Sequence, residues 1–325
     1  MARGFWNSAA AVAFAMIATV LLASIGARQA LAAEEVLRIG YQKSSSLLIL
    51  LKGQGALEKA LAPLGVKVAW YEFSSGLPLL EGVNVGSIDL SADVAEPVPL
   101  FAQAANAKLT YLAQEKPSPT GQAIVVRRDS PIKALADLKG KKIGFAKAAG
   151  VHYLTLQALE KAGVKLKETE VVYLQPADGR VAFERGAIDA WAIWDPFLAA
   201  LQKSVDVKVL ADGGVADVSY RRFYLASTKY ALNRPDVLKI VVDELRKAGE
   251  WVKARPKEAA ERLAPLVGLD AATLELANSR RSYAVALVDE DALSEQQKIS
   301  DAFTEAQLLP RRLDVRGNDV WKGAR

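Results

Sequence analysis

The 325-residue chain has no cysteine, one histidine and two methionines. Lack of cysteine excludes disulfides, thiolate nucleophiles, Cys-ligated metals and a lipid-bearing N-terminal Cys. Both methionines, Met1 and Met16, fall within the first 33 residues, so the remainder of the chain carries no sulfur. Two explanations fit: drift in an Ala- and Leu-rich sequence, where Leu replaces Met at little packing cost, or benefit to a protein made in quantity when sulfur is scarce. The lone His152, without Cys or clustered carboxylates, makes a poor metal site and has no evident nucleophile partner, so a polar contact or a cap is expected there. Walker, GxGxxG, GxSxG and HExxH patterns are also missing, which favours binding over catalysis and implies neither metal nor cofactor.

Strong charge of either sign is lacking too. The formal charge is +5, and setting aside Arg3 and Arg28 leaves +3. Basic residues are interspersed with acids, so a nucleic-acid surface is not expected, while a mild positive field favours anions only weakly. A hydrophobic fraction of 51% and 24% charge describe an ordinary globular protein.

What is present begins with a leader. Arg3, an apolar run from Ala9 to Ala27 and Ala30-Leu31-Ala32 read as a secretory signal peptide over 1–33, cleaved after Ala32 or Ala33. A transmembrane anchor is the competing reading, disfavoured by the Ala-x-Ala site and the absence of a stop-transfer cluster. A soluble, monomeric periplasmic protein without a lipid anchor is expected.

An internal repeat then organises the chain. Residues 36–112 and 140–213 each run strand, polar or small-residue loop, helix, strand, loop, helix. Each closes on a matching motif, Gly86-Ser87-Ile88-Asp89 and Gly186-Ala187-Ile188-Asp189. Such alternation predicts an α/β fold of two lobes, each a mostly parallel sheet flanked by helices, with ligands beyond the carboxyl ends of the strands. The two hinge crossings are expected at Gln122 to Arg128 and Phe223 to Thr228. Lobe one is then 34–122 with 223–325, and lobe two 123–222. A Pro235-started helix carries an apolar stripe, Val237, Val241, Leu245, Ala248 and Val252, expected to pack on lobe one. The tail after Leu308 is expected to be loosely ordered.

Candidate binding groups cluster at the helix starts. The loop Gln42 to Ser46 can seat an anion, because the first N–H groups of a helix lack partners and its dipole favours negative charge. Plain N-capping by a serine is the alternative, and Ser74-Ser75-Gly76 poses the same choice at the next helix. Ala148-Ala149-Gly150-Val151-His152 is the matching seat in lobe two, bare of side chains except for its histidine. On strand alternation Trp191 belongs to the core and Trp194 to the cleft. Asp93 and Glu96 either bind backbone N–H groups and a cation such as an amine, or at least one faces solvent.

GYQKSSSLLILL, EFSSGLPLLEGVNVGSIDL, FAQAANA, DSPIKALADLKGKKIGF, VHYLTLQALEKAG and ADGRVAFERGAIDAWAIWDPF together resemble the periplasmic aliphatic sulfonate-binding proteins of ABC transporters, across about residues 35 to 310. The resemblance implies a type II periplasmic-binding-protein fold that closes by hinge motion on an alkanesulfonate. The ligand is then delivered to a membrane permease and its ATPase. Family contacts map onto Gln42, Ser45, Ser46, Ser75 and Gly76 in lobe one, with Val151, His152, Asp178 and Trp194 as candidates from lobe two; Glu96 is a further candidate ligand residue, read from the acidic pair it forms with Asp93. Relatives for taurine or nitrate share a looser form of these motifs. A sulfinate-processing enzyme of the same scaffold uses a cysteine, which this chain lacks. The chain departs from the family pattern at Asp93 to Pro99, Ala148 to Gly150 and Ser219 to Arg222, all at cleft edges.

Overall fold

A computed structural model describes residues 35–323. The expected leader at 1–33 lies outside them. Among the described residues, no helix is long and apolar enough to cross a membrane.

Two sheets carry the molecule. The first begins with β1 (Glu35–Tyr41), α1 (Ser46–Gln54), α2 (Ala56–Leu61), β2 (Val66–Glu72), α3 (Gly76–Asn84), β3 (Leu90–Ala95), α4 (Pro97–Ala104) and β4 (Leu109–Glu115). The chain then builds the second sheet from β5 (Gln122–Arg127), β6 (Lys142–Phe145), α5 (Gly150–Lys161), β7 (Glu170–Tyr173), α6 (Pro176–Glu184), β8 (Ala190–Trp194), α7 (Phe197–Ser204), β9 (Val207–Asp212) and the short α8 (Gly213–Ala216). It returns through β10 (Arg222–Ser227), α9 (Thr228–Asn233), α10 (Pro235–Ala254), α11 (Pro256–Val267), α12 (Ala271–Ser279), β11 (Val285–Ala286), α13 (Glu290–Glu305) and β12 (Asp319–Val320). Strand order is β11-β4-β10-β3-β1-β2 with β12 beside β4, and β7-β6-β8-β5-β9.

The two-lobed α/β architecture is as expected, and each sheet is mixed. In lobe one β2, β1 and β3 are parallel, with β10 antiparallel to β3 and β4. In lobe two β7, β6 and β8 are parallel, with β5 antiparallel to β8 and β9. The segments expected to be linkers are therefore interior strands, β5 and β10. Their continuous apolar character reflects burial on both sheet faces. The chain crosses between lobes just before each, at 116–121 and 213–221, and the Ser118 N–H donates to the Ser219 carbonyl at 2.9 Å to tie the crossings together.

The repeated motif has a structural cause. In lobe one the Arg38 N–H donates to the Asp89 carboxylate at 2.9 Å, while the Asp89 N–H donates to the Arg38 carbonyl at 2.9 Å. In lobe two Lys142 and Asp189 make the same exchange at 2.8 and 2.9 Å. The glycines open each turn with φ of 76° and 71°, a left-handed conformation that side chains disfavour. Each aspartate thus pins its third strand onto the opening strand.

Helix α1 buries Leu47 through Leu51, apolar on every side because the sheet lies below it and α10 and α11 above. The α10 stripe is buried as expected; each Val or Leu in it contributes about 1.5–3 kcal/mol. The tail is not loose. Leu309, Leu313 and Val315 are buried, Arg312 makes two bonds to Asp301, and β12 pairs with β4, so apolar anchors overrule the basic composition.

Candidate ligand cleft

Three helix starts converge where the lobes meet. The chain leaves β1 at Tyr41 and turns through Gln42–Ser45 into α1; α3 starts at Gly76, and α5 starts at Gly150 from the opposite lobe. Neither serine at the first two starts serves as a cap. Ser45 accepts from the Gln42 N–H at 3.1 Å and makes no cap bond to its own helix, and Ser75 makes none either. The Ser75 hydroxyl is buried without any partner. At three other helix starts the side chain does cap: Ser227, Asp270 and Asp289 each accept from the N–H three residues on.

Two adjoining chambers occupy the cleft, and Ser44, Tyr220 and Arg222 line both. The first, the seat, is about 280 Å³ including space open to solvent, and is lined by Gln42, Gly76, Asp93, Ala95, Val98, Ala149, Gly150 and Trp194. The second, about 360 Å³ on the same measure, is lined by Ser46, Ser118, Gly121, Asp195, Pro196, Leu274, Ala277, Asn278, Arg281 and Tyr283. Orphaned buried polar atoms gather around the seat: Ser75 Oγ, both amide atoms of Gln122, Asp93 Oδ1 and Arg222 Nε. Buried polar atoms are rarely left unpaired, and this group is one that a polar ligand or ordered water would satisfy.

A buried charge cluster shapes the loop from beneath. Arg222 and Arg281 both donate to the Ser44 carbonyl, at 3.2 and 2.6 Å. Both also bond to Asp93, and Arg281 donates through Nε to Glu115 at 2.7 Å. Burial opposes the Glu115 charge, but Arg281 prevails and holds that carboxyl below its usual range. Two arginines face two carboxyls, and at Asp93 burial outweighs the pull of Arg281 and Arg222 and holds the carboxyl above its usual range.

Tyr220 completes the wall. It holds φ at 53°, rare for a non-glycine residue, and its hydroxyl accepts from Arg222 at 2.8 Å. A Cβ placed on Gly150 would lie 2.6 Å from the Tyr220 ring and 2.9 Å from Gln122 Oε1, so only glycine allows this approach. That explains the glycine of the second seat.

Gln42, Ser46, Gly76 and Trp194 line the chambers, with Ser45 and Ser75 directly behind them. Trp191 is core, 1% exposed against Phe183, and Trp194 faces the seat. Four other expected contacts lie elsewhere. Asp178 is exposed in the first turn of α6, and Val151 is sealed in the lobe-two core. His152 is enclosed by Phe101 and Phe303 of lobe one and Phe145 and Tyr173 of lobe two, its Nδ1 accepting from the Ala148 N–H at 3.2 Å. Burial, with Lys147 adding repulsion, pushes the imidazole down to about 3, so it is a neutral inter-lobe packing residue. Glu96 is 1% exposed and accepts from the Ser219 hydroxyl and the Arg221 N–H, gripping the second crossing. Burial first and Glu295 second push its carboxyl up to about 8.

Sequence reasoning missed Gln122, Asn278, Arg281 and Tyr283. Arg281 reaches a partner 237 residues away, and no local pattern encodes such a pairing. The orphaned Gln122 amide likewise shows only once β5 is placed beside Trp194.

The NMT1/THI5-like family matches residues 63–259. The periplasmic aliphatic sulphonate-binding protein of Escherichia coli is 38% identical with a TM-score of 0.79, covering 89% of this chain and 98% of that one. The chain belongs to the NMT1/THI5-like family. Within this family's fold, the alkanesulfonate-binding protein of Xanthomonas axonopodis pv. citri, solved bound to MOPS, is 37% identical with a TM-score of 0.84 over 89% of this chain and 99% of that one. The taurine-binding periplasmic protein of Escherichia coli is 32% identical over 46% of this chain and 45% of that protein.

Proposed function

We propose that this NMT1/THI5-like protein is the periplasmic substrate-binding component of an ABC transporter, capturing an aliphatic sulfonate between its lobes and handing it to a membrane permease with its ATPase. The carrying observation is the convergence of the α1, α3 and α5 starts on one seat ringed by the orphaned Ser75, Gln122 and Arg222 groups. Helix N–H groups and dipoles hold an anion without a net cation. Arginines already bonded to Asp93 and Glu115 suit a single negative charge, as on a sulfonate, better than two. Trp194, Val98 and Leu274 on the chamber walls give an aliphatic tail apolar surface, which a bare inorganic anion would not use. Motion of the lobes about 116–121 and 213–221 would admit the ligand. The leader at 1–33 would deliver the protein to the periplasm, and a sulfur-free remainder suits a role in sulfur scavenging.

Calorimetric titration with ethane- and butanesulfonate, taurine, sulfate and nitrate tests the reading. Saturable binding of the alkanesulfonates with much weaker sulfate and nitrate is expected. Tight nitrate binding with no sulfonate bound would overturn it.

A further inference from the structure

The second chamber is equipped to read the far end of a ligand. Asn278, 5% exposed on the last turns of α12, accepts through Oδ1 from the Tyr283 hydroxyl at 2.5 Å, while its Nδ2 is buried with no partner. A buried amide N–H left unsatisfied is costly, so a ligand acceptor that reaches it gains correspondingly. The Asp195 carboxylate lines the same chamber, held by the Ala199 N–H at 3.0 Å and by Arg280 at 3.3 Å. Leu274 and Ala277 supply apolar wall between them. The terminal nitrogens of Arg222 and Arg281 are already bonded to Asp93, Ser44 and neighbours, so they offer a tail no uncommitted charge.

Away from the residues shared with the seat, where Arg222 Nε is the other unpartnered donor, a tail terminus meets the free Asn278 Nδ2 and the Asp195 carboxyl. An ammonium could donate to Asp195 but has no lone pair for Asn278 Nδ2. A carboxylate could accept from Nδ2 but would face a negative Asp195 once the pH exceeds about 7, the value to which burial, against the pull of Arg280, pushes that carboxyl. A hydroxyl satisfies both, and so does no plain alkyl end. We infer that the protein prefers hydroxyalkanesulfonates, with the sulfonate in the seat and the terminal hydroxyl between Asn278 and Asp195. This rests on the sulfonate reading above and specifies its substrate class.

The test is calorimetry of the purified protein with ethane-, propane- and butanesulfonate, each beside its terminally hydroxylated and terminally aminated derivative. At the best-fitting length the hydroxylated form is expected to bind at least about tenfold more tightly than the plain one, about 1.4 kcal/mol from pairing the buried amide. Asn278→Asp keeps the acceptor for Tyr283, removes the donor and adds negative charge, and should shift the preference to the aminated form. Equal affinity for plain and hydroxylated forms at every length in the unaltered protein would overturn the proposal. So would a hydroxyl preference that survives Asn278→Asp. Binding of none of the compounds would overturn the sulfonate reading and this proposal with it.

Discussion

The start of α1 in lobe one and the start of α5 in lobe two occupy equivalent places in a repeated topology, each after the opening strand of its sheet, yet they are furnished in opposite ways. Lobe one presents Gln42 and three serines, with the loop carbonyl at Ser44 gripped by Arg222 and Arg281. Lobe two presents Ala148, Ala149 and Gly150, the glycine letting Tyr220 and Gln122 close over the helix end. The shared Asp89 and Asp189 ties show that scaffold and site are separable: what repeats holds strands together, and what differs makes the seat asymmetric. One lobe contributes side chains, the other backbone and a lid.

Removing the lobe-one support should have the largest effect. Arg281→Ala strips Glu115 of its guanidinium partner and leaves Asp93 with Arg222 alone, and losing one member of a buried ion cluster costs about 3–5 kcal/mol. Urea unfolding should show that loss, and calorimetry a collapse of sulfonate affinity as the Ser44 loop relaxes. Filling the lobe-two seat comes next. Gly150→Ala drives a methyl into Tyr220, an overpacking cost of about 1–3 kcal/mol, with ligand affinity falling at least tenfold if the lid is displaced.

A smaller effect depends on pH. The Glu96 carboxyl is raised to about 8 in the folded protein, above its unfolded value, so the folded state holds the proton more tightly. Its stabilising contribution is complete below the unfolded pKa and is lost as pH rises through about 8. Thermal unfolding across that window should show the decline, and Glu96→Gln, which keeps the acceptor for Ser219 and Arg221, should flatten it.

Much of the scaffold was legible. The Gly-x-Ile-Asp repeat located both third strands because a left-handed turn and a strand tie need those residue types at that spacing. The α10 stripe identified its buried face because period alone decides it. The seats were legible as helix starts, since serine, glycine and small residues there have few roles. His152, Glu96 and Asp178 have polar side chains near the right loops, but His152 is enclosed by aromatics, Glu96 bonds to the second crossing and Asp178 is exposed on α6. β5 and β10 were read as linkers because an interior antiparallel strand and an extended apolar connection look alike in one dimension. Arg281, Asn278 and Gln122 were illegible because their meaning comes from partners far along the chain.

The central claim is that Ser75, at the start of α3, serves a ligand and not its helix. Ser75→Ala and Ser227→Ala separate the two roles, since Ser75 makes no bond and Ser227 accepts from the Tyr230 N–H at 3.2 Å. The cap variant should lose about 1 kcal/mol of stability with sulfonate affinity unchanged. The most direct measurement is butanesulfonate calorimetry on Ser75→Ala, paired with urea unfolding of the ligand-free protein. The account predicts affinity reduced by about tenfold, as for a lost hydrogen bond to a charged group, with stability within about 0.5 kcal/mol of the unaltered protein. Unchanged affinity with a clear loss of stability would contradict it.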